Sequence, residues 1–165
     1  LGEGVGQAAG YAYTLQYIDN QRHRWVYCIT GDGELDEGNI WESAMFAGKY
    51  KLAQLIVIVD RNNIQIDGPT ETVMPLEDLH AKWEAFGWVV QQCNGNHMEE
   101  VMEALVFTRQ RPADGKPLML LMQTEMGMGV DFMMGSHKWH GVAPNDAQLT
   151  QALAQLPETL GDYPG

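Results

Sequence analysis

Apolar residues along the chain follow two alternating patterns. Runs typical of buried strands are WVYCIT at 25–30, QLIVIVD at 54–60, WVVQQC at 88–93 and PLMLLMQ at 117–123. Between and around them, apolar residues recur at helical spacing in the segments 5–18, 40–48, 75–87, 96–109 and 145–156. Such alternation predicts an α/β fold, a doubly wound and mainly parallel sheet with helices on both faces.

One segment has neither pattern. TEMGMGVDFMMGSHKWHGVAP, at 124–144, is rich in glycine and methionine, and we expect a loop that crosses the carboxyl edge of the sheet. The length of 165 residues predicts a single domain spanning 1–165. Because the chain opens on a glycine-rich segment without methionine, we expect a fragment or a split subunit that lacks an upstream segment.

Composition argues against several classes of binding partner. Ten Lys and Arg residues against 22 Asp and Glu residues give a formal net charge of −12, which repels nucleic acid and anionic lipid. No apolar stretch has the length of roughly 20 residues that spans a bilayer. Cys28 and Cys93 lack the paired spacing of a disulfide framework or a zinc site, which favours a cytoplasmic protein.

Two polar clusters directly follow two predicted strands. Asp32 lies between glycines just after WVYCIT, and Asn62 follows QLIVIVD, thirty positions further on. That separation is one strand-helix-strand unit, so parallel strands would bring the carboxylate and the amide oxygen side by side. Magnesium prefers such oxygens, and the glycines with the following helix N-terminus suit an anion. The parts therefore suit a magnesium-bridged diphosphate.

Other interpretations of these motifs remain. Gly-Asp-Gly and Asn-Asn are also ordinary turn sequences without function. GVGQAA at 4–9 matches the loose dinucleotide fingerprint, which would indicate nicotinamide binding. No strand precedes it, however, and Asp19 lies at a helix end, which counts against the dinucleotide interpretation.

The motifs resemble a known family. GDGELDEGNIWESAMFAGKYKLAQLIVIVDRNNIQIDG, at 31–68, is similar to the thiamine-diphosphate-binding signature of transketolases. The opening LGEGVGQAAGYA, the segment KWEAFGWVV and the segment HKWHGVAPN extend the similarity over nearly all of the chain. The chain resembles the amino-terminal, cofactor-binding domain or split subunit of a transketolase.

The resemblance implies roles for individual residues. Asp32, Asn62 and the carbonyl of Ile64 would bind Mg²⁺, and Gly33 with its neighbours Gly31 and Glu34 would contact the diphosphate. Leu1 and Gly2 would lie where the family approaches the cofactor, and Met126 would pack against thiamine. One of His137 and His140 would contact phosphate or substrate. Glu37 and Glu42 would lie near a subunit interface. Solvated surface acids are an equally good interpretation of Glu37 and Glu42, and a zinc pair is the weaker one for the two histidines.

The resemblance also implies chemistry and partners. The family transfers a two-carbon ketol unit from a ketose phosphate to an aldose phosphate, in the pentose phosphate pathway, with thiamine diphosphate and Mg²⁺. Activation needs a glutamate from a pyrimidine-binding domain, so we expect a partner, either a domain or a separate subunit, and an oligomer such as a dimer.

Departures from the family keep two alternatives open. The upstream histidines of the sugar channel are missing from the sequence, and Met126 and Met128 stand where many relatives have lysine. One alternative is a component of an α-keto acid dehydrogenase, and the other is an inactive regulatory subunit that retains only cofactor binding.

Overall fold

The computed structural model describes residues 1–110 and 115–156. Within them lies a sheet of parallel strands, formed by β1 (Val26–Gly31), β2 (Leu55–Arg61), β5 (Val89–Asn94) and β6 (Leu118–Gln123). The spatial order is β1-β2-β6-β5. A short antiparallel hairpin, β3 (Ile64–Gln65) and β4 (Gly68–Pro69), follows β2. Each strand of the main sheet lies where an apolar run predicts it, and the α/β prediction is confirmed.

Helices flank the sheet. They are α1 (Glu3–Tyr17), α2 (Gly38–Lys49), α3 (Thr70–Val73), α4 (Leu79–Ala85), α5 (Met98–Gln110) and α6 (Asp146–Gln155), with 3₁₀ turns at Gly33–Asp36 and His137–Trp139. Helix α4 begins four residues later than the start of its predicted segment at Pro75. The carboxylate of Asp78 accepts a hydrogen bond from the Ala81 N–H at 2.9 Å and caps the helix there.

Side chains of the sheet alternate between two apolar layers. One layer packs the odd-numbered residues Leu55, Val57 and Val59 of β2 against helices α1, α2 and α4. The other packs Ile56 and Ile58 with β6 and with Ala104 of α5. The prediction of helices on both faces is therefore confirmed.

The turn after β1 differs from the prediction in one respect. The glycines around Asp32 lead into the 3₁₀ turn Gly33–Asp36, and helix α2 begins only at Gly38. The sequence predicts that a helix dipole starts at these glycines. In the structure the dipole of α2 starts only at Gly38.

In residues 1–110 and 115–156, we find no helix with the length and apolar character needed to cross a membrane.

Candidate functional site

The strands β1 and β2 end side by side. Gly31 pairs with Asp60, and the N–H of Asp32 donates to the carbonyl of Asp60 at 3.1 Å. The residues that follow the two strands therefore meet at the carboxyl edge of the sheet, as their spacing predicts.

The carboxylate of Asp32 is buried at this edge. Only 1% of the residue is exposed. Its Oδ1 accepts from the N–H of Gly33 at 2.8 Å, and its Oδ2 accepts from the N–H of Asn63 at 2.7 Å and from Nη1 of Arg61 at 3.1 Å. Burial raises the pKa of Asp32, although these hydrogen bonds and the charge of Arg61 act in the opposite direction. An ionised Asp32 would therefore gain from a further cation.

Asn62 is held in a tight local turn. Its Oδ1 accepts from the N–H of Ile64 at 3.0 Å, while its Nδ2 donates to Oδ2 of Asp60 at 3.3 Å. The other oxygen of Asp60 accepts from the hydroxyl of Thr124, at the end of β6. These contacts fix the amide of Asn62 beside the turn that carries Asp32.

A cavity of about 470 Å³ opens between the two turns. It is lined by Leu1, Gly31, Asp32, Gly33, Glu34, Asn62, Ile64, Gln65, Ile66 and His140. Most residues that the sequence assigns to cofactor or metal binding thus border one space. The sequence does not predict Gln65 and Ile66, from the hairpin, in this lining.

The amino-terminal segment is attached to this cavity through Glu34. Its Oε1 accepts from the N–H of Gly2 at 2.7 Å, and its Oε2 accepts from the hydroxyl of Thr30 at 2.7 Å. Burial alone would raise the pKa of Glu34, but these two hydrogen bonds, a further one from the Gly31 backbone and the N-terminal charge together lower the pKa. Gly2 has a left-handed φ of 78°, and a Cβ there would lie 2.2 Å from Oδ1 of Asn39, so glycine is required for this close approach.

Of the remaining candidates, His140 borders the cavity and His137, Met126, Glu37 and Glu42 do not. His137 begins the 3₁₀ turn that His140 follows, and only His140 borders the cavity. Met126 borders a neighbouring cavity of about 630 Å³ that shares Asn62. Glu37 is exposed just before α2, and Glu42 is exposed on α2, where it lines a shallow cavity against α1.

A second polar cavity lies at the other end of the same sheet edge. It measures about 730 Å³, and its lining includes Cys93, Asn94, Asn96, His97 and Glu100. His97 Nδ1 lies 3.5 Å from Oε1 of Glu100. Burial, and then the charge of Glu100, raise the pKa of the Cys93 thiol.

Sequence reasoning missed a partly buried ionic network next to Asp32. Arg61, the last residue of β2, is 8% exposed. Its Nη1 also donates to the hydroxyl of Thr70 at 2.9 Å, and its Nη2 donates to Oε1 of Glu71 at 2.8 Å. The only sequence signal for this network is that the charged Arg61 ends an apolar run. The sequence does not indicate its partners, because they lie 9 to 29 positions away.

The donors at the first cavity fit a cation that keeps part of its own shell. Among the described residues, no three His, Cys, Asp or Glu side chains are grouped closely enough to hold a metal on their own. Asp32 and Asn62 offer one carboxylate and one amide oxygen, and Ile64 adds a backbone carbonyl. Mg²⁺ is commonly bound through one or two carboxylates, with water and phosphate oxygens completing its shell.

Comparisons with known proteins agree with one another. The family profile described as "Transketolase, thiamine diphosphate binding domain" matches residues 1–160. The chain is 42% identical to the 6-deoxy-6-sulfo-D-fructose transketolase subunit of Clostridium sp., covering 94% of this chain and 55% of that protein. It is 38% identical to an apulose-4-phosphate transketolase subunit of Phocaeicola vulgatus, covering 97% and 56% respectively. The chain thus spans about half the length of these curated relatives.

Solved structures lead to the same fold. The crystal structure of transketolase from Campylobacter jejuni superposes with a TM-score of 0.86 at 32% identity, over 94% of this chain and 25% of that chain. Transketolase from Leishmania mexicana gives a TM-score of 0.84 at 30% identity, over 93% and 24%.

Proposed function

The chain belongs to the transketolase family, as its thiamine diphosphate binding domain, and from that premise we propose that it anchors thiamine diphosphate through Mg²⁺ at the Asp32 cavity. The observation that carries the proposal is the meeting of Asp32 and Asn62, from the ends of β1 and β2, at one cavity. In doubly wound sheets, ligands bind at this edge.

Asp32, Asn62 and the carbonyl of Ile64 are the proposed metal ligands. Burial supports this assignment, because a carboxylate that is 1% exposed and offset by one guanidinium gains from a nearby cation. The hydrogen bond from the Ile64 N–H to Oδ1 of Asn62 joins two of these ligands in one rigid turn. Rigid placement reduces the ordering cost of binding.

The glycine turn is the proposed seat of the diphosphate. Gly31 and Gly33 border the cavity without side chains, so bulky phosphate oxygens can approach the backbone. Glu34 holds Gly2 against the turn, and Leu1 closes the adjacent wall. We assign Met126 to the thiamine end, because the cavity that it borders meets the first one at Asn62.

This chain's own residues bind and orient. When bound, thiamine diphosphate supplies the carbanion chemistry that lets a two-carbon ketol unit pass from a ketose phosphate to an aldose phosphate. His140 borders the cavity and is the proposed contact to cofactor or substrate; His137, three residues earlier, is the weaker candidate. Glu37 and Glu42 stay candidates for an interface with a partner.

Ketol transfer is proposed to need a second component. The relatives from Clostridium and Phocaeicola are named as subunits, and this chain covers 55% and 56% of them. We propose that the partner is a pyrimidine-binding domain or subunit, in a cytoplasmic oligomer. We further propose that the chain is one domain of that assembly, as a split subunit or as part of a longer polypeptide.

Calorimetric titration of the chain with thiamine diphosphate, with and without Mg²⁺, tests the proposal. We expect binding that requires Mg²⁺ and is lost in Asp32→Ala, because the variant removes the charged ligand. The control is Asp19→Ala, which removes an exposed carboxylate after α1 and keeps wild-type binding. Circular dichroism checks that both variants fold.

A second assay separates an enzyme from a binding subunit. The chain is combined with a candidate pyrimidine-binding subunit, and two-carbon transfer from a ketose phosphate to an aldose phosphate is measured. Transfer by the complex supports the transketolase activity. Magnesium-dependent cofactor binding without transfer in the complete complex favours a regulatory subunit, and oxidative decarboxylation of an α-keto acid favours the dehydrogenase alternative.

A further inference from the structure

Arg61 is held by three side chains next to the candidate site. Nη1 donates to Oδ2 of Asp32 at 3.1 Å and to the hydroxyl of the fully buried Thr70 at 2.9 Å. Nη2 donates to Oε1 of Glu71 at 2.8 Å. Glu71 is itself held, because its oxygens also accept from the N–H groups of Leu76 and Glu77, at 3.1 and 3.3 Å. The guanidinium therefore has little freedom to turn away from Asp32.

This contact makes the two oxygens of Asp32 unequal. Oδ2 accepts from both Arg61 and Asn63, at 3.1 and 2.7 Å, whereas Oδ1 accepts only from the N–H of Gly33, at 2.8 Å. A carboxylate oxygen offers about two lone-pair positions. Oδ2 is therefore fully used, and Oδ1 alone keeps a position for a cation.

Ligation through one oxygen discriminates between divalent cations. Ca²⁺ takes six to eight oxygens and often binds carboxylates through both, whereas Mg²⁺ is smaller and requires near-octahedral geometry. We propose that Arg61 is a positioning residue, which lets Asp32 bind a cation through one oxygen only and so makes the site prefer Mg²⁺ over Ca²⁺. This inference rests on the proposed function of the Asp32 cavity.

A different role for Arg61 leads to a different result. If the guanidinium only balanced the buried charge of Asp32, its removal would change the affinities for both cations by the same factor. The ratio of the two affinities therefore separates positioning from charge balance, and a loss of stability alone does not move that ratio.

The test measures the affinity of the chain for thiamine diphosphate in Mg²⁺ and, separately, in Ca²⁺. In Arg61→Met, which frees one position on Oδ2, we expect the ratio of the two affinities to shift toward Ca²⁺ by about tenfold, because Ca²⁺ gains more than Mg²⁺ from a second carboxylate oxygen. Arg61→Lys keeps a donor and should restore part of the wild-type ratio.

Glu71→Gln provides a second variant that does not remove the buried charge. It weakens the contact to Nη2 at a side chain that is 46% exposed, and we expect a smaller shift in the same direction. Glu103→Gln, which removes the charge of an exposed carboxylate on α5, is the matched control and should leave the ratio unchanged. If Arg61→Met fails to fold, Glu71→Gln carries the test.

The outcomes separate the inference from the proposed function. An unchanged ratio in Arg61→Met, or in Glu71→Gln when Arg61→Met does not fold, overturns the role of Arg61 while the cation site stands. If the wild-type chain binds the cofactor equally with and without either cation, the proposed metal site fails, and the inference fails with it.

Discussion

Asn62 directly follows β2 and Asn94 ends β5, and the two asparagines accept the same local hydrogen bond. In each, Oδ1 accepts from the N–H two residues further on, at 3.0 Å. Each also borders a cavity at the carboxyl edge, and the cavity at Asn94 is the larger, at about 730 Å³ against 470 Å³. The two turns share this hydrogen bond, whereas their surroundings differ.

The surroundings separate a candidate cation site from an ordinary turn. Beside Asn62 lies a carboxylate that is 1% exposed and whose pKa burial raises. Beside Asn94 lies Glu100, which is exposed and accepts a hydrogen bond from the Asn94 N–H at 3.0 Å. An exposed carboxylate is already solvated and gains little from a cation, whereas a buried one gains more. Burial of the charge, rather than the size of the cavity, distinguishes the two.

The largest expected difference in cofactor affinity is the one between the Asn62→Ala and Asn94→Ala variants. Asn62→Ala should weaken magnesium-dependent binding of thiamine diphosphate by about 10- to 100-fold, because it removes a proposed ligand oxygen. Asn94→Ala should leave the affinity unchanged. Calorimetry in Mg²⁺ measures both, and equal losses would mean that the two turns do not differ in function.

Gly33, after Asp32, and Gly95, after Asn94, separate stability from binding. A Cβ on Gly33 would lie 2.7 Å from Cβ of Gln65, and one on Gly95 would lie 2.5 Å from Cγ2 of Thr124. Both alanine variants should lower the free energy of unfolding by about 1–3 kcal/mol through overpacking. Only Gly33→Ala should also lower cofactor affinity, measured on the folded fraction. A loss of affinity in Gly95→Ala would contradict the assignment.

Glu34 predicts a pH dependence of stability at the turn after β1. Its pKa is lowered in the folded state, so its stabilising contribution is present above the unfolded pKa and is lost as the pH falls through the folded pKa. Between about pH 5 and pH 3, wild type should lose more stability than Glu34→Gln. Thr30→Val, which removes one donor to Glu34, should lie between them. Urea unfolding at several pH values measures this, and parallel curves would exclude the effect.

The smallest effect is expected at the second cavity. Burial and Glu100 raise the pKa of Cys93, so its thiol should react with iodoacetamide at neutral pH more slowly than free cysteine. Glu100→Gln should accelerate the reaction by less than about tenfold, since burial is the larger cause. Mass spectrometry follows the modification. Alkylation faster than that of free cysteine would indicate an activated thiol and a site in its own right.

Elements with long periodic patterns could be predicted from the sequence. All four strands of the main sheet coincide with apolar runs, because buried parallel strands leave a continuous signal. The hairpin of β3 and β4 could not be predicted, since each strand has two residues and no period. The position of β6 between β2 and β5 depends on packing between distant segments, which one sequence does not encode locally.

The candidate site divides in the same way. The adjacency of Asp32 and Asn62 follows from one strand-helix-strand unit, and the structure brings their turns together. The contacts of Arg61 with Asp32 and with Thr70 and Glu71 join residues 29, 9 and 10 positions apart through side-chain geometry alone. Such a network becomes visible only in the fold.

The position of the cation tests the central claim most directly. Crystals of the chain grown with thiamine diphosphate and Mn²⁺, which accepts the same oxygen ligands as Mg²⁺, allow the ion to be located by anomalous diffraction. The claim predicts one ion bonded to Asp32 Oδ1, Asn62 Oδ1 and the carbonyl of Ile64, at about 2.1 Å, and to phosphate oxygens. An ion among Cys93, His97 and Glu100, or cofactor bound without an ion at Asp32, would contradict it.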